Sequence, residues 1–121
     1  MIVGTGIDII EISRIAKAIS NEHFVKRVYT DDEWAESKGL SHRLAGFFAA
    51  KEALLKAMGT GLAGFSWREM AVRHDANGAP VLHTDGKVAR YLQELKVRKI
   101  HVSISHCREY AVAHVVLEAF E

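Results

Sequence analysis

Cysteine and proline are nearly absent from this chain, and neither sign of charge predominates. Cys107 is the only cysteine among 121 residues, so no disulfide framework can form within the chain, and we expect a reducing compartment. The formal net charge is +1, which gives no overall attraction to nucleic acid or to a membrane surface. Any preference for an anionic partner must therefore come from a local patch.

Long apolar runs are also missing. No stretch approaches the roughly 20 apolar residues of a membrane span, and the first residues lack a basic-then-apolar signal pattern. The content of 49% hydrophobic and 26% charged residues is close to that of average globular proteins, which argues against disorder. We therefore expect a soluble cytoplasmic protein with a single domain over residues 1–121.

The order of helical and strand patterns indicates the fold class. Residues 1–10 alternate as in a strand, and helical spacing of apolar residues follows at 12–19, 44–58 and 85–95. Asn77-Gly78 lies between two strand-like runs, which is a strong hairpin signal. No repeated β-α-β order is present, so the sequence predicts a compact α+β domain with a mostly antiparallel sheet packed against helices.

Lys51 occupies an unexpected position on the predicted helix over 44–58. One apolar stripe of that helix consists of Leu44, Phe47, Phe48, Leu54, Leu55 and Met58. Lys51 falls in the middle of this stripe, where a charge is costly unless it has a partner. We expect either a binding role for Lys51 or a side chain that extends outward to solvent.

Asp8 and Glu52 are the first candidates for chemistry. Asp8 shares a strand face with two glycines that allow close approach, and Glu52 lies on the long helix. Two carboxylates from separate elements could share Mg²⁺, which completes its coordination with water and phosphate oxygens. Lys51 and Lys56 flank Glu52 and could neutralise the remaining phosphate charge. The alternative is an ordinary surface pair between Glu52 and Lys56 at i,i+4 spacing.

The segment "HVSISH" is the second candidate. His101, Ser103 and Ser105 share one face of a predicted strand that ends at His106, and this face could hydrogen-bond a phosphate or a nucleotide. The alternative is the solvated side of an edge strand. The remaining histidines show no metal-ligand spacing and are expected to be incidental: His23, His42, His74, His83 and His114.

Arg14 and Lys17 point away from the apolar seam of the first predicted helix. They could form a local basic patch for an acidic partner, or they could simply be a solvated helix face. A nucleic-acid-binding domain is disfavoured, because the net charge is near neutral and no recognition-helix or stacking-aromatic pattern is present.

Three stretches together resemble one protein family. "GIDIIEISRI", "FAAKEALLKAMGTG", and "NGAP" followed by "HVSISH" occur in the order found in the holo-acyl-carrier-protein synthases, the small bacterial type of 4′-phosphopantetheinyl transferase. The resemblance covers essentially the whole chain. It implies an Mg²⁺-dependent enzyme that transfers 4′-phosphopantetheine from coenzyme A to a serine of an apo acyl carrier protein, in support of fatty acid biosynthesis. It also implies a homotrimer with active sites between subunits.

The resemblance assigns roles to the candidate residues. Asp8 and Glu52 would hold the metal, and Lys56 and Lys51 would contact phosphate oxygens of coenzyme A. The Ser105–His106 end of the strand would lie beside the nucleotide, and Arg14 and Lys17 would steer the acidic carrier protein. A non-catalytic module that binds coenzyme A or a nucleotide is the alternative.

One position departs from the family pattern. The family usually has an arginine before the phenylalanine of "FAAKE", where it is expected to meet the 3′-phosphate of coenzyme A, and this chain has Phe47 there. Arg43, one helical turn earlier, is the expected substitute. The resemblance therefore implies a changed 3′-phosphate site and an unchanged metal site.

Overall fold

The computed structural model describes residues 1–121, which form five strands and five helices. In chain order they are β1 (Ile2–Glu11), α1 (Ile12–Ala18), α2 (Glu22–Val28), α3 (Asp31–Ser37), α4 (Ser41–Met58), β2 (Met70–His74), β3 (Pro80–Thr84), α5 (Gly86–Glu94), β4 (Val97–His106) and β5 (Tyr110–Ala119). The predicted α+β class is confirmed. None of the five helices has the length and apolar character needed to cross a lipid bilayer.

The strands form two antiparallel sheets. β5 is the central strand of a three-stranded sheet in the order β1-β5-β4, and β2 and β3 form a separate hairpin. At the predicted hairpin turn, Gly78 adopts φ 85°, and the Asp75 side chain accepts hydrogen bonds from the backbone N–H groups of Asn77 and Ala79. Pro80 is the first residue of β3. This position suits proline, which has no backbone N–H to donate to the hydrogen bonds between strands.

Helix α2 is one element that periodicity did not predict. Its seven residues contain a single buried position, Val28, so the apolar pattern is weak. The side chain of Asn21 accepts hydrogen bonds from the N–H groups of His23 and Phe24 and thereby starts the helix. A capping residue and tertiary packing therefore determine α2 more than an amphipathic stripe does.

Helix α4 packs directly against β1 because both surfaces carry small residues. A Cβ atom at Gly4 or Gly6 would overlap the carbonyl oxygens of Ala57 and Ala53, respectively. The sequence predicted that these glycines admit something close to the backbone, and the backbone of α4 is what approaches there. The next residue on the same strand face is Asp8, so this packing fixes where its carboxylate meets the helix.

We expect Gly6→Ala to lower the free energy of unfolding by about 3 kcal/mol, because the new methyl group has only rigid backbone to displace. Thr5→Ala on the outward face of the same strand is the matched control, since Thr5 is exposed. Urea denaturation of both variants measures the difference. Equal stability of the two variants would show that α4 can move away from β1 at little cost.

Candidate functional site

Asp8, Glu52 and Lys56 meet where β1 crosses α4. The Lys56 ammonium donates to the Asp8 carboxylate at 3.1 Å and to the Ile7 carbonyl oxygen at 3.0 Å. The side chain of Lys56 is 53% exposed and that of Asp8 is 15% exposed. The lysine therefore bridges the two elements while its ammonium group remains open to a ligand.

Glu52 has a perturbed ionisation. Partial burial raises the pKa of its carboxyl group, the negative charge of Asp8 raises it further, and the nearby Lys56 opposes both effects. Two neighbouring carboxylates beside open solvent are a suitable donor set for a hard divalent cation. No third His, Cys, Asp or Glu joins them. Mg²⁺ commonly takes only one or two protein carboxylates and fills its remaining positions with water and phosphate oxygens.

The structure contradicts the predicted contact between Lys51 and a phosphate group. Lys51 is completely buried, and its ammonium donates to the Val28 carbonyl at 2.6 Å, to the Glu33 carboxylate at 2.6 Å and to the Trp67 carbonyl at 3.4 Å. All three donors are used within the chain, so none is left for a ligand. The alternative of an outward-extended side chain is also wrong. Burial lowers the pKa of Lys51, and the charge of Glu33 counteracts part of that effect.

Glu33, the partner of Lys51, was not identified from the sequence. One carboxylate oxygen accepts from Lys51 and from the Thr30 N–H, and the other accepts from the Val72 N–H at 2.7 Å. The only sequence signal was the capping box that begins α3, in which Thr30 and Glu33 cap each other's backbone. That pattern predicts the helix start but not a buried ion pair with a residue 18 positions away.

A second cavity, with a volume of about 350 Å³, opens between the start of α4, the β2–β3 hairpin and the end of β4. Arg43 and Phe47 both line it, so the two positions share a helix face as predicted. His106 lines it as well, whereas Ser105 does not. The two residues point to opposite faces of the sheet because side chains alternate along a strand, so they do not form one contact surface within this chain.

The rest of the "HVSISH" segment has a different environment. His101 contacts the Glu118 carboxylate at 2.9 Å, and Arg98 contacts the same group at 2.6 Å. The hydrogen bond with His101 and, to a lesser extent, the hydrogen bond from Arg98 lower the pKa of Glu118 to about 2. His101 therefore belongs to a cross-strand hydrogen-bonded group with Glu118 and Arg98, and only the His106 end of β4 reaches the cavity.

Arg14 and Lys17 are exposed on α1, away from the buried positions Ile12 and Ile15. No salt bridge within the chain occupies either cation. This geometry leaves the predicted basic patch available to a partner.

A strand carboxylate apposed to a carboxylate and a lysine of a long helix, in a small α+β domain, indicates a site for phosphate-bearing ligands. The family model of the 4′-phosphopantetheinyl transferase superfamily matches residues 4–115. The chain therefore belongs to this superfamily, and it is an enzyme of the phosphopantetheinyl transferase type. The resemblance inferred from the motifs is confirmed.

Curated relatives named holo-[acyl-carrier-protein] synthase span nearly the same length. The protein from Koribacter versatilis is 44% identical over an alignment that covers 98% of this chain and 99% of the relative. The protein from Vibrio cholerae strain M66-2 is 46% identical, with 98% of each chain covered.

Solved structures show the same fold. The holo-(acyl-carrier-protein) synthase of Bacillus anthracis, solved in complex with CoA (3′,5′-ADP), is 43% identical with a TM-score of 0.82, and the match covers 99% of both chains. The Plasmodium yoelii acyl carrier protein synthase with ADP bound is 31% identical with a TM-score of 0.91, covering 100% of this chain and 98% of that one. The Helicobacter pylori synthase in complex with coenzyme A is 30% identical with a TM-score of 0.85, covering 94% of this chain and 99% of that one.

Proposed function

We propose that this protein transfers the 4′-phosphopantetheine group of coenzyme A to a serine of an apo acyl carrier protein, with Mg²⁺ as cofactor, and so supports fatty acid biosynthesis in the cytoplasm. The observation that carries the proposal is the cluster of Asp8, Glu52 and Lys56 at the crossing of β1 and α4. Further support comes from the relatives, which are named for this reaction, and from a related structure that holds coenzyme A.

The transfer reaction requires that the negative charge of the phosphate groups be neutralised and that the two reactants be correctly positioned. The serine hydroxyl attacks the β-phosphorus, its proton leaves to a base, and the bond from that phosphorus to the bridging oxygen breaks, so that adenosine 3′,5′-bisphosphate departs with the bridging oxygen. Phosphoryl transfer is catalysed mainly by orientation and by stabilising negative charge on the phosphate oxygens. Bound Mg²⁺ supplies Lewis-acid stabilisation of those oxygens.

The residues of this chain have separate roles in that scheme. Asp8 and Glu52 would hold the cation from two different elements, which fixes it relative to the fold. The Lys56 ammonium, which now donates to Asp8, is exposed enough that it could donate to a phosphate oxygen of the donor. Arg43 and His106 would lie near the nucleotide. Ser105, which faces away from their cavity, would contribute only from the opposite sheet face.

We also propose that the protein assembles as a homotrimer through the outer face of the three-stranded sheet. Ile7 is 60% exposed and Ile9 is 65% exposed on that face, where they pair with His114 and Val112 of β5. Neighbouring exposed isoleucines that face away from the core are typical of an interaction surface. Because Asp8 lies between these two isoleucines on β1, association there would place the metal site near a subunit boundary.

Arg14 and Lys17 would receive the acidic carrier protein on α1. Exposed cations mainly raise the rate of encounter with an acidic partner, and added salt screens this effect. The proposed site for the carrier protein is therefore next to β1, to which α1 is directly connected.

An intact-mass assay tests the proposed function. Purified protein is incubated with an apo acyl carrier protein, coenzyme A and Mg²⁺, with an EDTA control. We expect the carrier to gain one phosphopantetheinyl group only when the divalent ion is present. Binding of coenzyme A without modification of several carriers would instead support a non-catalytic module that binds coenzyme A.

A further inference from the structure

Lys56 lies in the last turn of α4, which is closed by two backbone hydrogen bonds. The Gly59 N–H donates to the Lys56 carbonyl at 3.0 Å, and the Thr60 N–H donates to the Leu55 carbonyl at 3.3 Å. This is the Schellman arrangement, with Gly59 in the left-handed conformation at φ 76°. The terminal turns of a helix open most easily, because their carbonyl groups lack partners within the helix. A lysine that must stay at a fixed place therefore needs other elements to hold this turn.

Two contacts from other elements hold the carbonyl groups that the Schellman arrangement leaves over. In the first, Gly4 of β1 packs so closely that a Cβ there would lie 2.1 Å from the Ala57 carbonyl oxygen. In the second, the Tyr91 hydroxyl of α5 donates to the Met58 carbonyl at 3.2 Å. Met58 is buried and Tyr91 is half-buried, so water competes only partly for this hydrogen bond. The turn that carries Lys56 is thus held by both β1 and α5.

Tyr91 also contacts the segment that follows this turn. Its ring meets the ring of Phe65 edge to face, with centroids 5.8 Å apart and planes inclined by 77°. Residues 59–65 form neither helix nor strand, and three of them are glycines with positive φ. Such a segment has little conformational restraint of its own. Since Met58 precedes it and Phe65 ends it, Tyr91 restrains both ends.

The position of this turn determines where the Lys56 ammonium lies. Both of its hydrogen bonds go to β1, to the Asp8 carboxylate and the Ile7 carbonyl. The rest of the side chain is about half exposed and adds no further hydrogen bond. If the turn opened, the ammonium would move away from the two carboxylates. A displacement of about 1 Å in a group that positions a reactant can cost up to about 100-fold in rate.

We propose that Tyr91 is a positioning residue for phosphopantetheinyl transfer. Its hydroxyl holds the last turn of α4 and thereby keeps the Lys56 ammonium at the cluster with Asp8 and Glu52. Because the hydroxyl donates to the Met58 carbonyl, Tyr91 acts through Lys56 and not on the reactants. This inference rests on the proposed function, since it assigns a role within that reaction.

Tyr91→Phe tests the proposal, because it removes the hydroxyl and keeps the ring against Phe65. Per folded molecule, kcat/KM for coenzyme A should fall about fivefold, the size expected for the loss of one neutral hydrogen bond. In a Lys56→Ala background the same substitution should cause no further loss, because Tyr91 would then have no lysine to position. Tyr110→Phe, at an exposed tyrosine of β5, is the matched control and should leave transfer unchanged.

Amide hydrogen exchange measures the hold on the turn without any transfer. In Tyr91→Phe, exchange at Gly59 and Thr60 should become about fivefold faster, and exchange in the central strand β5 should stay the same.

Two results would overturn the positioning role: the same loss of transfer in both backgrounds, or unchanged exchange at Gly59 and Thr60. If transfer by the unsubstituted protein occurs and either result is found, the positioning role fails alone. If the unsubstituted protein modifies no carrier, the proposed function fails, and faster exchange confined to this turn would still support the hold of Tyr91 on the turn with Lys56.

Discussion

Asp8→Asn should reduce kcat for phosphopantetheinyl transfer by about 10³-fold, equivalent to about 4 kcal/mol of lost transition-state stabilisation. The amide keeps the shape of the side chain but removes one of the two negative charges that would hold the cation. It also weakens the contact that places Lys56 at 3.1 Å from this group. Because Asp8 is near the surface and leaves no buried partner unpaired, the free energy of unfolding should change by less than about 0.5 kcal/mol.

Transfer rates from intact-mass spectrometry and urea denaturation curves together check this prediction. Asp85→Asn is the matched control, since Asp85 precedes α5 and its side chain makes no capping hydrogen bond. Glu52→Gln should cause a loss similar to that of Asp8→Asn, and higher Mg²⁺ concentration should partly restore both variants. Transfer by Asp8→Asn at the rate of the unsubstituted protein would mean that this cluster is not the catalytic centre.

The position of this cluster could be predicted from the sequence because it depends on short-range patterns. Alternation along β1 places Asp8 on the face of Gly4 and Gly6, and helical spacing places Glu52 and Lys56 on one side of α4. The structure adds that the glycines admit the backbone of α4 itself. Local periodicity was sufficient to predict this cluster, since β1 and α4 each carry their functional side chains beside the small residues at which the two elements pack together.

The cavity with the histidines could not be predicted in the same way. His42, His74 and His106 lie on three elements that are distant in the sequence, and none shows a spacing that indicates a shared site. The packing of Gly46 against β4 brings two of these elements together, because a Cβ at this position would lie 2.9 Å from a methyl group of Ile104. Tertiary packing, which no local pattern encodes, therefore groups His42 and His74, which the sequence suggested were incidental, with His106, which was expected to lie beside a nucleotide.

Lys51 shows the opposite case, in which the sequence correctly indicated a buried charge but suggested the wrong partner. The helical stripe placed Lys51 inside, and the structure confirms complete burial. The expectation of a phosphate partner arose because Glu52, the next residue, lies at the cluster with Asp8 and Lys56. Adjacent residues of a helix are about 100° apart around its axis, so two neighbours can face different environments on α4.

Lys51→Met should therefore lower the free energy of unfolding by about 3–5 kcal/mol, because it leaves the Glu33 carboxylate buried and uncompensated. Glu33 is only 1% exposed and also accepts hydrogen bonds from Thr30 and Val72, so the carboxylate cannot turn toward water without breaking them. The double variant Lys51→Met/Glu33→Gln removes both charges and keeps an amide oxygen as acceptor. It should recover more than half of the lost stability.

Denaturant titration of the two single variants and the double variant gives the coupling between the residues, and transfer rates per folded molecule give their role in the reaction. A structural ion pair predicts a large coupling free energy with nearly normal transfer by the folded fraction at low temperature. If the Lys51→Met protein kept full stability but lost transfer activity, the structural role would be contradicted. The result would instead support the phosphate contact that the sequence suggested. The geometry favours the first result, since all three ammonium donors of Lys51 end on Glu33, Val28 and Trp67 within the same chain.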